Sequence, residues 1–562
     1  MISILLNNDK RLIISTITIS IILFILSTTV RITGYNDTFD YVRTLPYLYW
    51  IGISFLIFSI ILQLKFGLSK LYDIILIILT NLYADGIATI ITEYPPFIDT
   101  YLHGAESFPI INRGYLSSSY EYSSGFPLVF IFMAISLLIQ GIEPFTFFYI
   151  FEILIINIIS LTVYATSNLL VGRFSLLSSI AFTSFMFTHP TDFSPQILAY
   201  AMYGLLLFSI MKFINKRDNK LLILSFISII TINLTSPTNS FFIVINIIFL
   251  ILLHLLYIKY SKISYFNIMV LISTLSLITI YTTNATYMID TYSSYVNELL
   301  EFSNIKVTPS PSPSYIYFVN LRLLFSTILI LIISTIIVIY SLRRMRNNYP
   351  IMIASGILSS YVISAALTSF IAPFLFLRIT TYSAFIMPIL YMSIYNHRKK
   401  RLLLFSFIIL VVCSLILLPI TKHSRNITTY ATPSLYYGIN TLVIHDDNKN
   451  RVISILMPSF VYKYTMAIND NYIKERALIF DIENKLFDGV SKDKISQYIE
   501  NEMLYKIQYF NIFADGDLLN LKHKYGLEEV YNNVEDTVSN NQNLLINTGN
   551  SRIYHHTVRL SQ

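Results

Sequence analysis

Between Thr92 and Phe126 the chain reads TEYPPFIDTYLHGAESFPIINRGYLSSSYEYSSGF. This stretch holds Glu93, Asp99, His103, Glu106, Arg113 and Glu121 beside the double proline Pro95-Pro96, and long hydrocarbon runs flank it. Asp99 and His103 are four apart. On a helix they share a face, where a carboxylate can hold an imidazole, or the two can jointly bind a divalent cation or an acceptor hydroxyl. An unpaired carboxylate is costly at a membrane surface, so Asp99 reads as a positioned group. The plainer alternative is a solvated loop carboxylate next to an incidental histidine.

The elements that must position these groups are membrane helices. Of the 562 residues 54% are hydrophobic and only 13% charged, with a mean hydropathy of +0.62; a soluble domain carries about 25% charged residues. Apolar runs near or above about 18 residues recur from Leu12 to Ile420, which implies a polytopic α-helical membrane protein rather than a barrel. The net charge of +7 does not indicate nucleic acid, because the basic residues cluster in short loops between spans, the positive-inside pattern. The single cysteine, Cys413, excludes an internal disulfide framework and a cysteine-based metal site. There is no P-loop, no dinucleotide fingerprint and no zinc spacing, and the many tyrosines fit an interfacial aromatic belt.

Residues 1–420 form the expected transmembrane domain, with 92–126 as its outer loop of catalytic type. The reading places the protein in the plasma membrane, multi-pass, with a cytoplasmic N-terminus. About 13 transmembrane helices are expected. Counting parity leaves the basic loop INKRDNK (214–220) on the wrong side unless one apolar run fails to cross. The run Phe174–Phe187 is the expected partial helix, since its roughly 14 residues rise only about 21 Å against a core of roughly 30 Å. Arg173 and the turn THPTDFSPQ, which holds His189 and Asp192, are then expected on one side, near the 92–126 loop. From Thr421 charged residues become frequent, and short β-type runs appear (TLVIHDD, RVISILMP, RALIFDI, NLLINTG, RIYHH). Residues 421–562 are therefore expected to form an extracytoplasmic α/β or α+β domain, long enough for its own core. Among the remaining polar residues, Glu152 lies mid-span, as a helix-pairing or substrate-path group. Asp85 sits late in the third span, and Asp37 with Asp40 forms a rival carboxylate pair on a short loop.

The stretch from Asp99 through Gly114, Tyr120, Tyr122 and Pro127 to Gly141 resembles the first large outer loop and following helices of the C-type (GT-C) superfamily of polytopic membrane glycosyltransferases. The match lies in the early acidic residue, the helix-ending glycine, the tyrosine-rich stretch, the proline opening the next helix and the glycine at the next turn. The subgroup with D-x-x-x-H in this loop is the nearest fit. THPTDFSPQ and NLTSPTNS resemble its proline-bearing turns, although the second of these has Thr235-Ser236-Pro237 where the subgroup often has Thr-His-Pro. FLRITTYSAF puts Arg378 where relatives carry a basic residue near the lipid phosphate. The resemblance implies a polyprenyl-phosphate-linked sugar donor, inversion at the anomeric carbon, and a glycan, lipid or protein acceptor. It implies Asp99 as base or acceptor-orienting carboxylate with His103 as its partner. Arg378 and Arg113 are then phosphate contacts, and Glu106, Tyr120, His189 and Asp192 complete the substrate-binding set. Competing expectations are a transporter or flippase of lipid-linked or polar substrates, and a non-catalytic scaffold of surface-glycan assembly.

Overall fold

Runs of Ile, Leu and Phe with few charges fold as helices because a backbone removed from water must satisfy its own hydrogen bonds. In a computed structural model the described residues are 2–31, 40–92, 95, 98–114, 126–186, 193–216, 218, 220–236, 239, 243, 246, 329–344, 349–371, 373–398, 401–423, 433–445, 451–454, 461, 464–465, 477–479, 509–514, 532, 535–536, 538–540, 543–547 and 551–555. The first helices are α1 (Ile2–Ser27), α2 (Asp40–Thr44), α3 (Tyr47–Phe66), α4 (Lys70–Asn81), a π turn (Leu82–Gly86), α5 (Ile87–Ile91) and α6 (Ile98–Arg113). Then come α7 (Leu128–Gln140), α8 (Pro144–Leu170), α9 (Ser175–Phe185), α10 (Pro195–Lys216) and α11 (Lys220–Asn233). The later helices are α12 (Leu329–Arg344), α13 (Tyr349–Ile371), α14 (Pro373–Arg398), α15 (Arg401–His423) and α16 (Pro433–His445). Among the described residues six helical stretches are long and apolar enough to cross a bilayer: Asp9–Ser27, Tyr47–Phe66, Lys70–Ile91, Pro144–Leu170, Pro195–Ile214 and Arg401–Leu418. Their outward faces carry exposed Ile22, Ile25, Ile51, Leu402 and Phe405. A continuous apolar exterior of this kind suits lipid, not water, and the chain is a multi-pass membrane protein.

Side-chain hydrogen bonds staple the bundle. Asn81 of α4 donates to Asn157 Oδ1 of α8 at 2.9 Å, and its own carbonyl oxygen accepts from Thr183 of α9 at 2.8 Å and Ser160 of α8 at 3.2 Å. Gln63 and Tyr164 both donate to Asp73, at 2.8 and 2.9 Å. The mid-span Glu152 accepts from Thr89 Oγ1 at 2.7 Å, which ties α8 to α5 and fits the helix-pairing reading. Where α10 crosses α8 and α14, a Cβ on Gly204 would lie 2.3 Å from Thr162 Oγ1 and 3.3 Å from the Phe385 ring. Small residues allow such close approach between membrane helices. Gly204→Ala should therefore destabilise the protein by about 1–3 kcal/mol through overpacking. The double variant with Thr162→Ala should recover most of that loss, as read by thermal unfolding in detergent.

Helix α8 fixes the two ends of the bundle. At its start Phe145 packs 6.3 Å from Tyr101 of α6, and Tyr149 donates to Thr92 O at 3.4 Å. Past its far end, Val171 O accepts from Asn396 of α14 at 3.2 Å, and Arg173 donates to Leu64 O and Lys65 O at 2.8 and 2.7 Å, covering the last carbonyls of α3. From there α9, buried along its whole length, leads back toward Phe193, whose N–H reaches Thr100 of α6. Arg173 and the end of THPTDFSPQ thus lie at opposite ends, which corrects the expectation that they share a side. Helix α7 returns to the end of the bundle from which it starts. It starts beside Leu234, where Leu128 N–H donates to Leu234 O at 3.2 Å. It ends at the turn that opens α8, so both of its ends belong to the α6 end. Its 13 residues rise only about 20 Å. The stretch whose two ends lie at one end of the bundle is therefore Phe126–Ile142, whereas the Phe174–Phe187 run, with its short 11-residue α9, leads from the Arg173 end toward the α6 end.

All strands of the described chain follow residue 450: β1 (Arg451–Ser454), β2 (Ala477–Ile479), β3 (Tyr509–Ala514), β4 (Asn543–Asn547) and β5 (Ser551–His555). They form one mixed sheet in the order β2-β1-β3-β5-β4. Val452 pairs in parallel with Ala477 and with Phe510, and Ile512 pairs antiparallel with Ile553. Four of the five expected β-type runs are strands. TLVIHDD is not, because Thr441–His445 finish α16. Leu435, Ile439, Leu442 and Val443 are buried there at helical spacing.

Candidate functional site

The polar stretch is organised by α6. At 100° per residue, Asp99, His103, Glu106, Ile110 and Arg113 follow a 4-3-4-3 spacing and fall within about 40° of one line along the helix. Tyr101, Gly104 and Phe108 occupy the opposite side. The helix ends at Gly114, whose φ of +74° is open to glycine and whose N–H donates to Ile110 O at 3.0 Å. Pro127 then sits immediately before α7, and Gly141 closes α7 with a φ of +63°. The helix-ending glycine, the opening proline and the turn glycine therefore occupy the structural roles expected of them.

On the polar stripe His103 is half-buried, with its ring 6.0 Å from Phe130 of α7. Glu106 is buried. The opposite side is packed by aromatic rings. Tyr464 is fully buried and lies 5.4 Å from Tyr101, 5.4 Å from Phe108 and 5.4 Å from Phe145, the last pair stacked. Burial drives the Tyr464 hydroxyl well above the usual tyrosine range, and the same cause pushes Tyr436, 5.2 Å from Phe145, up to about 12.

A chain of contacts and short sequence links leads from α6 through its neighbours and back to it. Thr100 Oγ1 accepts from Phe193 N–H at 3.2 Å. Just beyond Phe193, Gln196 of α10 donates to the Tyr200 hydroxyl at 2.7 Å. The Tyr200 ring lies 5.2 Å from Tyr382 of α14, and the Tyr382 hydroxyl donates to Asn239 Oδ1. Five residues before Asn239, Leu234 O holds the start of α7, and Phe130 of α7 returns to His103. The start of α10, the first half of α14, the end of α11 and the start of α7 therefore meet at the end of the bundle that carries α6. Arg378 belongs to this assembly by position, one helical turn before Tyr382. It lies in the second turn of α14, which begins at Pro373.

Of the residues singled out from sequence, His103 and Glu106 are on the α6 stripe with described side chains. Asp99 and Arg113 are on it by helical position. Tyr120, His189 and Asp192 lie outside the described residues, as do the side chains of Asp99, Arg113 and Arg378. Asp85 is buried within the π turn, a geometry frequent at functional sites. Asp40 opens α2, and Asp37 is outside the described residues. Among the described residues no group of three or more His, Cys, Asp or Glu could hold a metal ion. Sequence reading did not single out Thr100, Gly104, Asn239, Tyr382 or Tyr464. A glycine directly after His103 was the one local signal, for Gly104. The others carry no local signal, because only the packing brings them together.

No protein-family model matches the chain, and no curated protein matches it. Solved structures to which it is similar include ArnT from Cupriavidus metallidurans bound to undecaprenyl phosphate, at 8% identity and a TM-score of 0.46 over 84% of this chain and 95% of that one. The apo state of the same protein matches at 8% identity and a TM-score of 0.43 over 82% and 93% of the two chains.

Proposed function

We propose that the chain is a membrane glycosyltransferase that moves a sugar from a polyprenyl-phosphate-linked donor to an acceptor glycan, lipid or protein on the extracytoplasmic face. The observation that carries this reading is the α6 stripe. Four chemistry-bearing residues share one side of a helix whose other side is locked by aromatic packing, at the end of the bundle where Arg378 also lies. In this reading the acceptor hydroxyl attacks the anomeric carbon as Asp99 takes its proton, with His103 orienting the carboxylate. The bond from that carbon to the phosphate oxygen breaks, and polyprenyl phosphate departs with the electron pair. A new glycosidic bond forms with inversion. Guanidinium groups suit this leaving group because their planar fork matches phosphate oxygens, and Arg378 and Arg113 are assigned to it. If a divalent cation takes part, Asp99 and His103, one turn apart, would supply an oxygen and a nitrogen donor, and the cation would add charge stabilisation there.

The N-terminus is assigned to the cytoplasm and residues 421–562 to the far side. The reading is tested by supplying membranes with a radiolabelled polyprenyl-phosphate sugar and following label into acceptor. Release of polyprenyl phosphate with label in glycan supports it; movement of intact lipid-linked sugar across the membrane without transfer contradicts it. Arg378→Ala should raise the donor KM and lower kcat/KM by about 10–100-fold, the loss of one charge-assisted contact of roughly 1.5–3 kcal/mol. Arg378→Lys, which keeps the charge but not the fork, should fall between that variant and the unmodified protein.

A further inference from the structure

The strands β1 and β2 are parallel neighbours, so the chain between them must cross over the sheet. Within this crossover Val461, Tyr464 and Thr465 are buried, and Thr465 Oγ1 donates to Val461 O at 3.0 Å, one helical turn back. Its partner surface includes two helices of the bundle. The Tyr464 ring sits on Tyr101 and Phe108 of α6 and on Phe145 and Phe148 of α8. Between those rings α6 has a glycine. A Cβ at Gly104 would come 2.8 Å from Phe148 Cζ and 2.9 Å from Tyr464 Cε2, closer than real Cβ contacts come. The absence of a side chain at Gly104 therefore lets the crossover press onto the back of α6, directly opposite the Asp99–His103–Glu106 stripe.

We infer that Tyr464 is a positioning residue: the C-terminal segment uses it as a wedge that fixes how α6 presents its polar stripe. A stripe on one side of a helix is aimed by whatever holds the other side, and α6 is joined to the rest of the chain by the proline-bearing stretch before it and the long segment after Gly114. Beside the contact of His103 with Phe130 of α7 and the bond from Phe193 to Thr100, its orientation depends on the packing at Tyr101, Gly104 and Phe108, and Tyr464 contributes the ring common to all three. This inference rests on the α6 stripe being the catalytic face, and its test includes a measurement independent of sugar transfer.

The chain has one cysteine, Cys413, so Cys413→Ser with Leu102→Cys gives a single reporter thiol on α6. In the full-length protein in detergent, Tyr464→Ala should raise the rate of maleimide labelling at position 102 severalfold. In membranes the same change should cut kcat for sugar transfer by about 100-fold, the scale of a 1 Å misplacement. Tyr464→Phe keeps the ring and should leave both readouts at the level of the unmodified protein. Gly104→Ala should reproduce the Tyr464→Ala effects with Tyr464 in place, and it decides the matter if Tyr464→Ala does not accumulate. Unchanged labelling in Tyr464→Ala and Gly104→Ala overturns the wedge. Faster labelling with undiminished transfer overturns its role in positioning. If the unmodified protein transfers no sugar, the glycosyltransferase reading fails, and the labelling rates alone still decide whether Tyr464 holds α6.

Discussion

Asp99→Asn should reduce sugar transfer in membranes by about 10²–10⁴-fold while the protein accumulates normally, since that is the range a positioned general base contributes. Asparagine preserves size and hydrogen-bonding shape but cannot accept the acceptor's proton. The expectation of normal accumulation follows from the helix. Asp99 is in the first turn of α6, on the stripe opposite Tyr101, Gly104 and Phe108, so the packing that holds α6 does not depend on it. An acidic residue in a first turn also favours the helix dipole by only about 0.3–1 kcal/mol, too little to unfold the bundle. His103→Ala should cost less than Asp99→Asn, because an orienting partner acts through the carboxylate. Equal transfer rates in Asp99→Asn and the unmodified protein, assayed side by side at matched abundance, would remove Asp99 from the reaction.

The second large effect concerns stability. Asn81→Ala should destabilise the protein by about 2–4 kcal/mol, because it removes three interhelical hydrogen bonds and leaves buried polar groups behind. The Asn81 carboxamide serves α8 through Asn157 and Ser160 and α9 through Thr183. After truncation Asn157 Oδ1 loses its donor. Ser160 and Thr183 retain one another at 3.1 Å, so they are less exposed to the loss than Asn157. Asn81→Ala combined with Asn157→Leu should then be more stable than the sum of the two single changes predicts, since the double variant leaves fewer orphaned groups. Unfolding in mixed detergent micelles measures this. A single-variant cost below about 0.5 kcal/mol, the level of an ordinary surface change, would mean the network carries no weight.

The membrane class of the fold was legible because apolar runs of spanning length are a direct consequence of bilayer thickness. That one run must fail to cross was also legible, from the basic loop 214–220. Which run fails was not. By length alone Phe174–Phe187 is the shortest run, and its helix α9, at 11 residues, stays shorter than the 13 that Pro127 and Gly141 leave to α7; what separates the two is where their ends lie, since the chain through α9 leads from the Arg173 end toward the α6 end, whereas both ends of α7 lie at the α6 end. Run length measures hydrophobicity, whereas the deciding fact was the hydrogen bond from Leu128 to Leu234. In the C-terminal part, TLVIH passed for a strand because β-branched and aliphatic residues in a short run fit either period, and the helical stripe shows only when Leu435 and Ile439 are counted with it.

The candidate site divides the same way. The spacing of Asp99 and His103 was visible in the sequence, and the same spacing extends through Glu106 to Arg113 once α6 is a single helix. The back of that helix was not visible. Tyr464 follows Gly104 by 360 positions, and no local pattern links a glycine in one segment to a tyrosine in another. Arg378 was found by resemblance, but that Tyr382, one turn after it, meets Asn239 follows only from the packing of α14 against the turn after α11.

Glycan analysis of a deletion strain beside strains complemented with the unmodified chain and with Asp99→Asn tests the central proposal most directly. The proposal predicts a sugar residue missing from the deletion strain, restored by the unmodified chain, and still missing with Asp99→Asn at equal membrane abundance. Restoration of that residue by Asp99→Asn would contradict it.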